Sequence, residues 1–86
     1  MYQVVVRLSL DSDTKSRVRN VVAPMLKACG LNNRGTGQWK GQVVSQALAT
    51  HQLANVLDVL SNPHQVPNAN IDVELDHIWI HIDRVA

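Results

Sequence analysis

Asp11 and Asp13 stand two residues apart at the end of the first apolar segment, where paired carboxylates can do chemistry. Carboxylate oxygens are the ligands that a hard cation such as Mg²⁺ prefers, and a bound cation can activate water for hydrolysis. Asp-Ser-Asp is also a typical helix start, where side-chain oxygens accept hydrogen bonds from free backbone N–H groups. The spacing therefore leaves a catalytic and a capping interpretation open.

A second group of candidates is basic and would suit contacts with phosphate groups. Its members are Arg7, Lys15, Arg17, Arg19, Arg34 and Lys40. Gly35 and Gly37 lie between the last two and would let backbone amides approach an anion. Solvated helix charges and a plain flexible loop explain the same residues. The net charge of +1 argues against a strongly electrostatic nucleic-acid binder but leaves room for a local patch.

His77 and His81 flank Trp79 in the last segment. In a strand their Cα atoms would lie about 13 Å apart at 3.3 Å per residue, so they cannot share one metal ion. With Val5 these three residues would line a sheet face that contacts a ligand or a second copy of the chain. The sequence predicts no metal site and no cofactor, and Mg²⁺ or Mn²⁺ enters only if the two aspartates are catalytic.

The first half of the chain predicts a strand followed by a helix. Tyr2–Leu10 alternates apolar and polar residues, with Val4 and Val6 on the predicted core face. Apolar residues at three- and four-residue spacing predict a helix from Ser12 to Cys29. Pro24 removes one backbone hydrogen bond inside that helix, so a kink or a break is expected near Ala23.

The second half predicts a helix between irregular and regular strands. Asn32–Val44 contains three glycines and favours a loop with one irregular strand or a tight two-strand ribbon. Ser45–Asn62 has a helical apolar stripe that includes Leu48 and Leu57. Ile71–Val85 alternates like a strand, but its phase changes at Asp76–His77. Either a bulge or a turn restores the phase, and the bulge is favoured because Asp-His is a poor hairpin turn.

The order of elements predicts one α+β domain over residues 1–86. Its arrangement would be ferredoxin-like, a split βαβ in which both helices cover one face of an antiparallel sheet. Val5 and Trp79 on the other face would favour a homodimer that covers them. The single Cys29 excludes an intramolecular disulfide, and no apolar run reaches membrane-spanning length. We therefore expect a cytoplasmic protein without membrane contact.

Four motifs along the chain resemble a known family. They are the opening MYQVVV strand with Asp-Ser-Asp, the basic first helix ending at Gly30-Leu31, the Gly-Gln-Trp-Lys-Gly strand after Arg34, and the leucine-rich second helix. Together they resemble the small CRISPR-associated adaptation protein, the dimeric partner of the spacer integrase. The resemblance implies a ferredoxin-like homodimer and, for some members, a metal-dependent nuclease. That activity uses an aspartate at the end of the first strand, whereas here the nearest acids are Asp11 and Asp13.

Three hypotheses for function follow from these residues. The leading one is a non-enzymatic homodimer that binds nucleic acid through its basic residues. The second is a divalent-metal nuclease that uses Asp11 or Asp13. The third is a module that binds a small molecule or a protein on the sheet face around Trp79.

Overall fold

Four strands and two helices form within residues 1–85, which are the residues that the computed structural model describes. In chain order they are β1 (Tyr2–Asp11), α1 (Arg17–Ala28), β2 (Asn32–Gly35), β3 (Gln38–Val43), α2 (Gln46–Ser61) and β4 (Glu74–Arg84). A 3₁₀ turn at Thr14–Ser16 precedes α1, and another at Pro63–Gln65 follows α2.

The strands form one antiparallel sheet in the order β2-β3-β1-β4. Helix α1 connects β1 to β2, and α2 connects β3 to β4. Both helices pack on the same face of the sheet, because their buried side chains share one core. The predicted α+β class and ferredoxin-like order of elements are thereby confirmed.

The core lies between the two helices and the face of the sheet that carries Val4 and Val6. The alternation of β1 places both valines inward, as predicted, and Trp39 of β3 joins them at 4% exposure. The helices contribute Val18, Val22, Leu26, Leu53, Val56 and Leu60. No polar side chain is buried within residues 1–85, so apolar burial is the main stabilising term of this core.

A β-bulge interrupts the pairing of β4 with β1. Ser9 lies opposite His77 and Leu10 lies opposite Leu75, so Asp76 is an extra residue on β4. The phase change predicted at Asp76–His77 is confirmed, and it takes the form of a bulge rather than a turn. The bulge keeps apolar side chains on the core face on both of its sides.

The prediction that the last strand begins at Ile71 is wrong. A turn precedes β4, because the Asn70 backbone oxygen accepts from the Val73 N–H and its side-chain oxygen accepts from the Asp72 N–H. These bonds occupy the amides that a strand would pair. Ile71 is consequently 89% exposed, whereas Val73 is buried.

Helix α1 starts later than predicted and continues through Pro24. Lys15 and Ser16 have φ of +57° and +55°, so the helical path begins only at Arg17. No break occurs at Ala23. Pro24 and Asn20, whose carbonyl would have accepted the missing bond, are both exposed, so water can satisfy that carbonyl.

The end of α1 and the start of α2 have typical cap chemistry. The N–H of Gly30, whose φ is +87°, donates to the Lys27 carbonyl, and the Leu31 N–H donates to the Leu26 carbonyl. The two hydrogen bonds form a Schellman motif. Ser45 caps α2 by accepting from the Leu48 N–H at 3.2 Å.

The predicted apolar stripe of α2 is only partly right. Ala49, Leu53, Val56 and Leu60 are buried, whereas Leu48 and Leu57 are 56% and 40% exposed. The buried stripe of α2 is therefore narrower than the count of apolar residues suggested, because the helix contacts the core along one side only.

Strands β2 and β3 form a tight two-strand ribbon, one of the two predicted alternatives, and are joined by the two residues Thr36 and Gly37. Gly37 has φ of +70°, and a Cβ there would collide with the Leu8 carbonyl oxygen. At Gly41 a Cβ would collide with the carbonyl oxygen of Gly30. Two of the glycines therefore serve close backbone approach.

Candidate nucleic-acid interface

The face of the sheet opposite the helices, here called the outer face, carries two rows of side chains across the strands. In the first row Trp79 lies opposite Arg7, and Arg7 lies opposite Gln38. The second row is His81, Val5, Lys40 and Asn32. Each row runs from β4 towards β2, and strand spacing of about 4.8 Å makes a four-strand row about 14 Å long.

Three planar groups stack at the β4 end of the outer face. The rings of Trp79 and His81 are 5.5 Å apart between centroids and only 8° from parallel. The guanidinium carbon of Arg7 lies 5.3 Å from the Trp79 ring centroid. Trp79 is 47% exposed, which is high for a side chain of this size. We call these three residues the stack.

Basic and amide side chains occupy the middle of the outer face, and acids lie towards its ends. Arg7 and Lys40 are central, with Gln38 beside Arg7 in register. Asp83 lies opposite Gln3 at one end, and Asp11 lies opposite Glu74 at the other. A phosphate group would therefore be attracted to the centre of the face and repelled at its ends.

A cleft of about 720 Å³ opens where β1, α1 and the tip of the β2–β3 hairpin meet. Its lining includes Arg7, Arg19 and His77 together with Ser9 and Gln38. Arg7 thus lines the cleft and also belongs to the stack. The cleft is lined by Arg19 of α1 as well, so it joins a cation of the helix to the basic residues of the sheet. No pairing of these residues with an acid beyond the His77–Asp76 contact, at 3.1 Å, is present within residues 1–85.

The other predicted basic residues lie near the start of α1 or on the edge strand of the sheet. Lys15 and Arg17 are exposed near the start of α1, on the helix side of the sheet. Arg34 is exposed on the edge strand β2, where pairing with β3 is irregular. The predicted basic group is thus divided among the outer face, the cleft and the surface of α1.

The two candidate catalytic acids have different surroundings. Both carboxylate oxygens of Asp13 accept backbone N–H groups, from Val18 at 2.9 Å and Arg19 at 3.0 Å. Asp13 therefore caps α1, although four residues lie between it and the first bonded amide. Asp11 lies in a different cleft, beside Asp72 and Glu74.

Metal-binding groups do not converge in the part of the chain that the structure describes. Among residues 1–85, no three His, Cys, Asp or Glu side chains are placed to hold a metal ion. His77 instead contacts Asp76, and His81 stacks on Trp79. These histidines therefore contribute ring surface to the outer face.

Among the residues that the structure describes, two titrating groups have shifted pKa values. Burial raises the pKa of the Cys29 thiol, because the thiolate would be poorly solvated in the core. A hydrogen bond to the Tyr2 side chain raises the pKa of Arg84, which is positively charged in any case. Neither residue belongs to the stack.

Sequence reasoning missed that Gln38 and Asn32 belong to the outer face. Both are ordinary polar residues in a glycine-rich segment, and they join the outer face only through the register of β3 with its neighbours. The pairing of Arg7 with Trp79 was also outside the reach of sequence reasoning, because it depends on the register between the first and last strands.

Comparison of the chain with known protein families, with curated proteins and with solved structures gives no match. The resemblance to the CRISPR-associated adaptation protein therefore stays a prediction. Within residues 1–85, no helix has the length and apolarity that crossing a membrane requires.

Proposed function

We propose that this protein binds single-stranded nucleic acid on the outer face of its sheet. The observation that carries the proposal is the stack of Arg7, Trp79 and His81, which presents aromatic surface and a cation together. Bases of every kind have a π-face, so exposed aromatic side chains bind single strands with little sequence preference. Paired bases in a duplex hide these faces.

The arrangement supports a defined path for the strand. A base would extend the stack beside His81 or replace the Arg7 guanidinium on the Trp79 ring, which frees Arg7 to contact a phosphate. The chain of phosphates would then cross the sheet towards Lys40 and Gln38, which share the two rows with the stack. Four-stranded sheets of known RNA-binding domains hold two or three bases in this manner.

The cleft supports the same function. Arg19 and His77 border it from α1 and β4, and Arg7 connects it to the stack. A strand that leaves the stack on this side would meet the Arg19 guanidinium. Asp13 also lines this cleft, but both of its carboxylate oxygens accept backbone N–H groups of α1. The acidic surface around Asp11, Asp72 and Glu74 lies in the other cleft, which would repel phosphates.

Two further properties belong to the same proposal. A cytoplasmic location agrees with a single cysteine that is buried as a free thiol. A homodimer is the second, and the exposed Trp79 and half-buried Val5 of the outer face support it as apolar surface that a second copy could cover.

The test is a fluorescence titration with short single-stranded DNA and RNA oligonucleotides at low salt. Trp39 is buried and Trp79 is exposed, so a change in emission on binding would come mainly from Trp79. A Trp39→Phe variant that retains the response assigns the signal to Trp79. The matching duplexes are the control and should bind at least about tenfold more weakly, because their base faces are stacked internally.

An absence of binding to any single strand at low salt would contradict the proposal. Equal affinity for single strands and duplexes would contradict the role of the stack and would favour the basic surface of α1 instead. Quenching by small aromatic molecules without any response to oligonucleotides would favour a module that binds small molecules on the same face.

A further inference from the structure

β4 lies at the edge of the sheet and is its longest strand, with eleven residues from Glu74 to Arg84. One side of β4 pairs with β1 over nearly its whole length. The other side has no strand partner within residues 1–85. An unpaired edge of this length presents a row of free N–H and C=O groups, which pair readily with another chain.

The register shows which backbone groups face outward. The Val85 N–H donates to the Met1 carbonyl at 2.9 Å, which makes Met1 and Val85 a hydrogen-bonded pair. Bonded and non-bonded pairs alternate along an antiparallel ladder. The backbone groups of Trp79 and His81 therefore point at β1, and those of Ile78, Ile80, Ile82 and Arg84 point to the open edge. The bond from Leu8 N–H to Gly37 agrees, because it places the even residues of β1 on the β3 side.

The two edges of the sheet differ in how well they are protected. The opposite edge, β2, has four residues, an irregular pairing at Arg34, and an Asn33 side chain that occupies the Gly35 N–H. Such features discourage further strand pairing. The segment Ile78–Ile82 has none of them: it contains no proline, glycine, lysine or acid. Its three isoleucines face the core side yet are only half-buried.

We propose that two copies of this chain pair antiparallel along β4, about a two-fold axis at Ile80. The pairing would join the four strands of each copy into one continuous sheet. Ile80 would lie opposite itself, and Ile78 would lie opposite Ile82 of the second copy. These are the residues whose backbone groups point outward, so the two edges have matching donors and acceptors.

Charge complementarity favours a second copy as the occupant and this axis as the register. Residues equally far from Ile80 meet, so His77 meets Asp83 of the second copy. Asp76 and Arg84 are also equally far from Ile80, so Asp76, at the bulge, comes close to Arg84 of the second copy. Both contacts occur twice by symmetry. An axis at His81 would instead place Asp83 opposite Trp79 of the second copy. It would leave Asp76 without a basic partner in the second copy.

The pairing has a consequence for the outer face. Trp79 and His81 would meet His81 and Trp79 of the second copy in a non-bonded pair, where side chains come closest. The two stacks would then form one aromatic surface in the middle of the joined sheet. The inference stands on the edge of β4 and does not depend on the binding of nucleic acid.

The first experiment measures the dimer dissociation constant by analytical ultracentrifugation for the wild type and for charge variants. Asp76→Arg and Arg84→Asp should each weaken the dimer by about tenfold, because each places like charges in contact twice per dimer. The double variant should recover the wild-type affinity. Arg17→Asp, the same charge change on α1, is the matched control and should leave the constant unchanged. Single variants that dimerise as well as the wild type overturn the register.

The second experiment measures amide hydrogen exchange by NMR at low and high protein concentration. The outward-facing amides of Ile78, Ile80 and Ile82 should exchange fast when the protein is dilute and become protected as it dimerises. The amides of Trp79 and His81 should stay protected throughout, because they pair with β1. A chain that remains monomeric at high concentration, or a dimer whose three isoleucine amides still exchange fast, overturns the proposal. Loss of nucleic-acid binding alone changes neither readout.

Discussion

Arg7 and Trp79 lie directly opposite each other on β1 and β4, with the guanidinium carbon 5.3 Å from the centroid of the indole. The contact is exposed, so its own contribution to stability is about 0.5–1 kcal/mol. A stability role therefore gives little reason for a half-exposed tryptophan at this position. The exposed ring of Trp79 instead provides a surface on which another planar group can stack.

Replacing Trp79 tests this surface most directly. Trp79→Ala should weaken binding of single-stranded oligonucleotides by about 5- to 150-fold, which corresponds to about 1–3 kcal/mol for one stacked base. Trp79→Phe should retain part of the affinity, because a smaller ring still stacks. Fluorescence anisotropy of labelled oligonucleotides measures both. Unchanged affinity in Trp79→Ala, with a melting temperature like that of the wild type, would remove the stack from the binding site.

The basic residues of the outer face should contribute to the salt dependence of nucleic-acid affinity. Removing one phosphate contact from a single-strand complex lowers the slope of log affinity against log salt by about 0.7. Lys40→Ala should therefore flatten the slope by about this amount. Arg17→Ala, on the surface of α1, is the control and should leave the slope unchanged. The reverse result would place the nucleic acid on the helix.

The two aspartates should differ in stability when replaced. Asp13→Ala removes both acceptors from the start of α1 and should lower the free energy of unfolding by about 1–2 kcal/mol. Asp11→Ala is the control, since Asp11 is exposed at the end of β1, and should change it by less than about 0.5 kcal/mol. Urea unfolding followed by circular dichroism gives both values. Equal effects would show that Asp13 is not the cap of α1.

Gly41 should be intolerant of any side chain. A Cβ at this position would collide with the Gly30 carbonyl oxygen, so β3 and the end of α1 would have to separate. We expect Gly41→Ala to lower the free energy of unfolding by about 1–3 kcal/mol, as overpacking does in cores. Gln42→Ala, the next and exposed residue, is the matched control for the same measurement. A Gly41→Ala protein as stable as the wild type would mean that the two segments are further apart.

Cys29 should make stability depend on pH in the alkaline range. Burial raises its pKa in the folded state above the ordinary value of 9.0, so the unfolded chain loses its proton first. The contribution of the buried Cys29 thiol to the free energy of unfolding is fully present below pH 9.0. It is lost as the pH rises through the pKa of the folded state. Urea unfolding at neutral and alkaline pH should show this loss in the wild type. A Cys29→Ala variant should lack this part of the pH dependence, and an identical profile would contradict the assignment.

Local sequence patterns were sufficient for most of the fold. The alternation in β1 was enough to predict which of its faces is buried. The phase change at Asp76–His77 required a bulge or a turn there, and the poor turn chemistry of Asp-His favoured the bulge. The end of α1 at Gly30 was predictable for the same reason, since few residues accept its positive φ.

The errors came from residues whose fate depends on distant contacts. Leu48 and Leu57 fit a helical stripe, but α2 meets the core along a narrower side. Ile71 fits a strand, yet Asn70 captures the neighbouring amides and forms a turn. The Arg7–Trp79 contact needed the register between the first and last strands, which no local pattern contains.

The extra residue at Asp76 gives β4 a position where its length can change without altering its pairing with β1. A sequence that lacks Asp76 keeps every partner of β1, since Leu75 and His77 already lie opposite neighbouring residues. An insertion between Ile78 and Ile82 would instead exchange the faces of the residues beyond it. When sequences of this kind are aligned, a gap at position 76 is therefore compatible with one fold, whereas a gap a few residues later is not.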